Sequence, residues 1–180
     1  MVRKVFQLKI TLFDIKPLIW RKILVYSDTS LFDLHKIIQT TMGWENFHLY
    51  QFRDFCNSIA PGGGDSDSGV DIRTLQLGQV VKKVKDSIVY EYDFGDCWEH
   101  EIILEKIRTD DKNGQIPRCI DGKRNCPPED CGGTWGYYNL LKILSTPRHP
   151  ERREMMEWLG SKYNPNYFNV NEINESLMDH

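Results

Sequence analysis

Three cysteines, Cys119, Cys126 and Cys131, share one segment at spacings C-x6-C and C-x4-C. Thiolates are ligands that zinc favours, and Cys97, His100 or His149 would complete a tetrahedral set. The spacing departs from the paired C-x2-C of common zinc modules. The competing reading is three structural thiols in a Pro/Gly-rich loop. A second cluster is acidic. Val89 to Glu101 reads VYEYDFGDCWEHE and holds Glu91, Asp93, Asp96, Glu99 and Glu101 among four aromatics and His100. Such acids bind a cation, meet a basic partner, pair with the chain's own GKR or RHPERR segments, or face water, where charge pairs are weak. Cys97 lies close to His100, which suggests a thiol–imidazole pair, yet the neighbouring carboxylates raise a thiol pKa and disfavour a nucleophile there. There is no serine-hydrolase elbow, phosphate loop or dinucleotide fingerprint.

The elements that position these residues follow from hydropathic period. Phe6, Leu8, Ile10 and Leu12 alternate with polar residues, which predicts a strand buried on one face. After the DIKP turn, LIWRKILVYS predicts the return strand. Leu31, Leu34, Ile38 and Met42 form a helical stripe, with Thr29 or Ser30 as N-cap, Asp33 in the first turn and Gly43 as the stop. HLYQFRDF reads as a third strand and NSIAPGGGDSDSG as a flexible loop. IRTLQLGQVVKKV fits a short helical turn, and SIVYEYDF with WEHEIILEKI forms a late hairpin.

In that hairpin, a Gly95-Asp96-Cys97 loop would pair Phe94 with Trp98 and Tyr92 with His100. One face is then apolar, and the other sets Asp93 against Glu99 and Glu91 against Glu101. Segregated polarity favours this register where one face is buried. The long polar segment from Pro117 to Thr134 is expected to be ordered and to dock beside the hairpin, forming the main cleft. Three helices follow, capped at Thr134, at Pro150 and by Asn169 with Glu172.

The 180 residues carry 40% hydrophobic and 27% charged side chains, enough to form a core and stay soluble. The formal net charge of -3 gives no overall basic field, so nucleic-acid contact rests on local groups such as Lys82, Lys83, Arg152 and Arg153. No apolar run is long enough to span a bilayer, and the start of the chain lacks a signal-peptide pattern, which predicts a cytoplasmic protein. The odd count of five cysteines disfavours a secreted disulfide framework.

The segments FQLKITLFDIKPLIWRKILV, LHKIIQTTMGWENFHLYQF, YEYDFGDCWEHEIILEKI and PRCIDGKRNCPPEDCGGTWGYYNLLKIL resemble the plasmid pRiA4b ORF-3-like family across nearly the whole chain. The resemblance implies a compact α+β domain and transfers no catalytic residue. Resolvase-like and repressor-like labels on some members of that family imply an association with mobile elements. Cys97 stands where the family pattern suggests a small polar residue.

The expected fold is α+β: a mixed sheet of about five strands with a β-grasp-like ββαβ opening, a helix on one face and a C-terminal group of three helices. Residues 1–180 are read as a single domain, with a sheet-forming part at 1–108 and the cysteine loop and helices at 109–180. The expected function is a non-enzymatic binding or interaction module for a protein or small molecule. One alternative is a nucleic-acid-associated accessory protein of mobile elements. Another is a metal-binding protein or enzyme using the acidic hairpin and the cysteine loop. Candidate binding residues are Asp93, Asp96, Trp98, Glu99, His100, Arg118 and Trp135. Candidate zinc ligands are Cys119, Cys126 and Cys131.

Overall fold

The computed structural model describes residues 3–54, 58–62, 71–109, 115–160 and 162–178. The glycine-rich stretch from 63 to 70, read as a flexible loop, lies outside the described residues, as does 110–114. Strand β1 (Lys4–Leu12) alternates as its sequence predicts and buries Phe6, Leu8, Ile10 and Leu12. It pairs antiparallel with β2 (Trp20–Tyr26), which turns Arg21, Ile23 and Val25 toward the same core.

Helix α1 (Leu31–Met42) begins where Ser30 Oγ accepts the Asp33 amide at 3.0 Å. It ends at Gly43, whose φ of 85° lets its N–H reach the Gln39 carbonyl. Leu34 and Ile38 are fully buried against the sheet, worth about 1.5–3 kcal/mol each in transfer terms. The helix is also pinned by polar groups. His35 Nδ1 lies 2.7 Å from the Tyr90 hydroxyl and Gln39 Nε2 donates to it at 2.9 Å. The His35 ring stacks on Tyr50 with centroids 3.5 Å apart.

The remaining strands are β3 (Tyr50–Arg53), β4 (Ser58–Gly62), β5 (Ser87–Tyr92), β6 (Trp98–Thr109) and β7 (Arg118–Lys123). A short helix, α2 (Leu77–Val80), precedes β5. The sheet order is β4-β3-β5-β6-β1-β2-β7. The α+β class, the ββα opening and the C-terminal helices agree with expectation. Among the described residues the sheet is larger than expected, with seven strands, and every pairing is antiparallel where a mixed sheet was expected. The two added strands are short edge strands. β4 forms from the start of the segment read as a loop, and β7 from the cysteine segment.

The C-terminal helices are α3 (Gly133–Ser145), α4 (Arg152–Trp158) and α5 (Val170–Met178). α3 starts one residue before the expected Thr134 cap, because Gly132 at φ 89° itself makes the turn. α4 starts two residues beyond Pro150. Asn169 caps α5 as expected, accepting from the Asn171 amide and donating to Glu172. α5 packs on β7 and α1, and α3 on α4. Among the described residues no helix is long and apolar enough to cross a membrane.

Candidate functional site

The β5–β6 hairpin keeps the predicted faces but not the predicted register. Tyr92 pairs with Trp98, Tyr90 with His100 and Glu91 with Glu99. The ladder therefore ends two residues early, and the turn spans 93–97. Tyr90, Tyr92, Trp98, His100 and Ile102 are buried together. Phe94 was expected to be buried and is 46% exposed, because it lies in the turn instead of the ladder. Asp93 was expected on the exposed face and is buried, for the same reason.

The outer face answers its own charge. Glu91 and Glu99 sit opposite one another, which alone would destabilise the pair. Arg53 of β3 ion-pairs with both, and Gln51 Nε2 donates to Glu91 at 2.6 Å. Glu99 thus belongs to a cross-strand network, and the neutralising groups come from β3, not from the GKR or RHPERR segments.

Several expected site residues turn away from solvent. Trp98 and His100 are core groups. Burial lowers the His100 pKa to about 4. Its Nδ1 lies 3.3 Å from the Tyr90 carbonyl, and among the described residues Nε2 has no hydrogen-bond partner. Trp135, in the first turn of α3, is 81% exposed. Arg118 pairs opposite Leu24 on β7, separated from β6 by β1 and β2. Only the later part of the 117–134 segment reaches the hairpin. The Pro127 carbonyl accepts from Trp44 Nε1 at 2.9 Å, and Asp96 Oδ2 accepts from the Gly132 amide at 3.1 Å. A Cβ on Gly133 would lie 2.6 Å from the Asp96 carbonyl oxygen, so a glycine is what permits this approach.

The three cysteines do not converge. Cys119 Sγ donates to the Asp121 carbonyl on β7, whereas Cys126 is buried beside Met42 Sδ and Arg21. Cys131 lies next to the hairpin turn, and burial pushes its thiol up to about 12. Among the described residues these sulfurs form no group of three potential ligands. The reason is that β7 formation carries Cys119 to the far edge of the sheet. The Cys97 thiol is also raised, first by desolvation and then by Glu91, Glu99, Asp93 and Asp96, which disfavours a thiolate nucleophile.

A different set does converge. His48 Nε2 lies 3.0 Å from Asp130 Oδ1, 3.5 Å from Glu129 Oε2 and 3.7 Å from Asp93 Oδ2. Ligand atoms of His48, Asp93 and Asp130 all fall within 4.8 Å of one another. Backbone contacts hold the carboxylates in place. Asp93 Oδ1 accepts from the Gly95 and Asp96 amides, leaving Oδ2 toward His48. Glu129 Oε1 accepts the Glu45 amide at 2.8 Å, leaving Oε2 toward the imidazole. The Tyr92 hydroxyl donates to Glu129 and accepts the Phe47 amide, both at 3.0 Å. Burial and Glu129 raise the Tyr92 pKa, so the hydroxyl keeps its proton. His48 opens the predicted third strand but lies two residues before the observed β3, and Glu129 and Asp130 lie between Cys126 and Cys131. In the CPPEDCGG block it is the acids, Glu129 and Asp130, and not the thiols, that reach the cluster.

Fold and site together define an α+β protein in which a histidine–carboxylate cluster sits at one end of an antiparallel sheet. The chain belongs to the plasmid pRiA4b ORF-3-like protein family, whose model matches residues 4–172. It is 37% identical over 185 residues to the uncharacterised protein y4hQ of Sinorhizobium fredii, with 99% of this chain and 93% of that protein covered. It also resembles the crystal structure of MM3350, a protein of unknown function from Methanosarcina mazei Go1. The TM-score is 0.86 at 34% identity, covering 96% of this chain and 98% of that one. These comparisons establish family and fold and assign no activity.

Proposed function

We propose that the protein is a non-enzymatic binding module. Its binding face is the surface shared by the hairpin turn, the 127–132 segment and the groove between α3 and α4. The occupant is a partner segment carrying basic and apolar side chains. One observation carries this reading. Asp130 belongs both to the histidine–carboxylate cluster and to the lining of a cavity of about 200 Å³ with Leu140, Ile143, Met155 and Trp158. A carboxylate beside an apolar groove suits a cationic group next to an aliphatic one. The Asp130 side chain is 67% exposed and Trp158 is 47% exposed, so both are available to a partner. The proposal takes residues 1–180 as one unit, since β7 and α5 of the later part pack on β2 and α1 of the earlier part.

The alternative of nucleic-acid association draws no support from the placement of the basic groups. Arg153 ion-pairs with Glu157 on its own helix, and Arg124 donates to Asn166.

The test is fluorescence anisotropy with a labelled peptide of alternating Arg and Leu, against a Glu/Leu peptide of equal length. The basic peptide is expected to bind saturably, with affinity falling as salt rises. Trp158→Ala should weaken it about tenfold, the usual cost of removing an interface tryptophan. Equal binding of both peptides, or no effect of Trp158→Ala, would refute the reading.

A further inference from the structure

We propose that His48, Asp93 and Asp130 form a binding site for a divalent first-row transition-metal ion, with Glu129 beside it. This rests on the binding reading of the same face, where the metal ion and a partner's basic group would compete for the Asp130 carboxylate. Two independent observations point to a ligand. The first is geometric. Zinc bonds of about 2.0–2.1 Å to nitrogen and oxygen place tetrahedral ligand atoms about 3.3 Å apart. The distances from His48 Nε2 to its three carboxylate neighbours are 3.0, 3.5 and 3.7 Å, which bracket that separation.

The second observation is the imidazole itself. The His48 side chain is 28% exposed, but its Nε2 has almost no solvent contact and makes no hydrogen bond among the described residues, although Asp130 Oδ1 approaches to 3.0 Å. That nitrogen faces carboxylate oxygens without a hydrogen bond to any of them, and a metal ion between them would bind it and them together. The rest of the arrangement resembles a ligand set held by a supporting shell. For Asp93 and Glu129, one oxygen is fixed by backbone amides and the other faces the imidazole. Tyr92 braces Glu129 from behind. Partners of this kind orient metal ligands and sustain their affinity.

Ligand chemistry narrows the ion. An imidazole selects against magnesium and calcium, while carboxylates without thiolates suit zinc, manganese or iron(II). Three protein ligands leave a coordination position open to water or to a partner's donor group. The groove beside Asp130 is where such a donor would arrive.

The experiment uses the full chain after chelator treatment. Zinc is titrated by calorimetry in competition with a chromophoric chelator, and cobalt(II) by its visible absorption. One equivalent is expected to bind, with a cobalt spectrum of low coordination number. His48→Ala and Asp130→Asn should each weaken binding at least about tenfold, the lower end for disturbing a metal site. His149→Ala and Cys119→Ser, the latter at the far edge of the sheet, should leave binding unchanged. Asp130→Asn alters an exposed side chain, so it tests the site even if His48→Ala misfolds. Absence of saturable binding would overturn the site, and so would equal affinity in wild type and Asp130→Asn. Loss of binding only in the cysteine variant would also overturn it. The metal-free anisotropy measurement separates the two ideas. Peptide binding without metal binding refutes the site alone, and metal binding without peptide binding refutes the partner reading alone.

Discussion

Removing a single hydroxyl, by Tyr92→Phe, should loosen the whole candidate site. The Tyr92 ring is almost fully buried, so phenylalanine keeps its packing and opens no large cavity. What is lost is a junction of three segments. The hydroxyl lies 3.0 and 3.1 Å from the two Glu129 oxygens and accepts the Phe47 amide at 3.0 Å. A hydrogen bond to a charged carboxylate contributes about 1.5–3 kcal/mol and one to a neutral amide about 0.5–1.5 kcal/mol. The His48 amide at 3.4 Å is at the limit of a bond and adds little. The expected loss is therefore about 2–4 kcal/mol, or roughly 5–15 °C in melting temperature for a chain of this size. Urea denaturation near pH 7.5 measures it, and an unchanged m-value would show that the unfolded state is not the cause. A double-mutant cycle with Glu129→Gln should return a coupling of at least about 1 kcal/mol. A loss below about 0.5 kcal/mol, or a coupling near zero, would refute the claim that Tyr92 holds Glu129 in place.

Two further predictions concern pH and backbone. Burial lowers the pKa values of His35 and His100 from 6.5 to about 4, so the unfolded chain binds their protons first as pH falls. Stability from this source is complete above about pH 6.5 and declines toward pH 4, by roughly 2 kcal/mol per histidine at pH 5. Urea midpoints at pH 7.5 and 5 should show the decline, and a His100→Phe variant should flatten it; a flat wild-type profile would contradict the burial argument. Gly133→Ala should cost about 1–3 kcal/mol, since Gly133 has φ 65° and a Cβ there meets the Asp96 oxygen at 2.6 Å. Gly160→Ala shares the positive φ but meets nothing, so it should cost distinctly less; equal losses would show that the Asp96 contact is unimportant.

What could be read in advance was local. Ser30, Asp33, the Leu34–Ile38 stripe and Gly43 lie within two turns of one another or of the helix ends, and α1 follows from them directly. The alternation of β1 and the polarity of the β5–β6 faces were legible because a period of two assigns faces within each strand, and the two-residue difference in register leaves those faces in place. Arg21 also follows the alternation, since it shares the inward side with Ile23. Its burial is met by the Thr41, Trp20 and Lys123 carbonyls, which no sequence pattern announces. The edge strands were obscure because β4 and β7 arise in Gly/Pro-containing segments and exist through pairing with a distant neighbour. The candidate site was legible only in part. Asp93 stood out within the acidic hairpin, whereas His48 and Asp130 lie far from it in sequence and meet it only through the fold.

The hairpin register explains why the site exists at all. With Phe94 opposite Trp98, Asp93 would have faced Glu99 on the outer side of the ladder, as one more solvated acid. Because pairing stops at Tyr92 and Trp98, the chain is free to turn at Asp93, which adopts a φ of 57°. That conformation is tolerated by aspartate when its side chain bonds the following amides, as Asp93 does with Gly95 and Asp96. The same turn brings the Asp93 amide to the Leu49 carbonyl at 2.9 Å, directly beside His48. It also presents Asp96 to Gly132 and so anchors the segment that carries Glu129 and Asp130. A two-residue shift in one ladder thus converts Asp93 from a surface charge into the group around which the loops at 44–49 and 127–132 assemble.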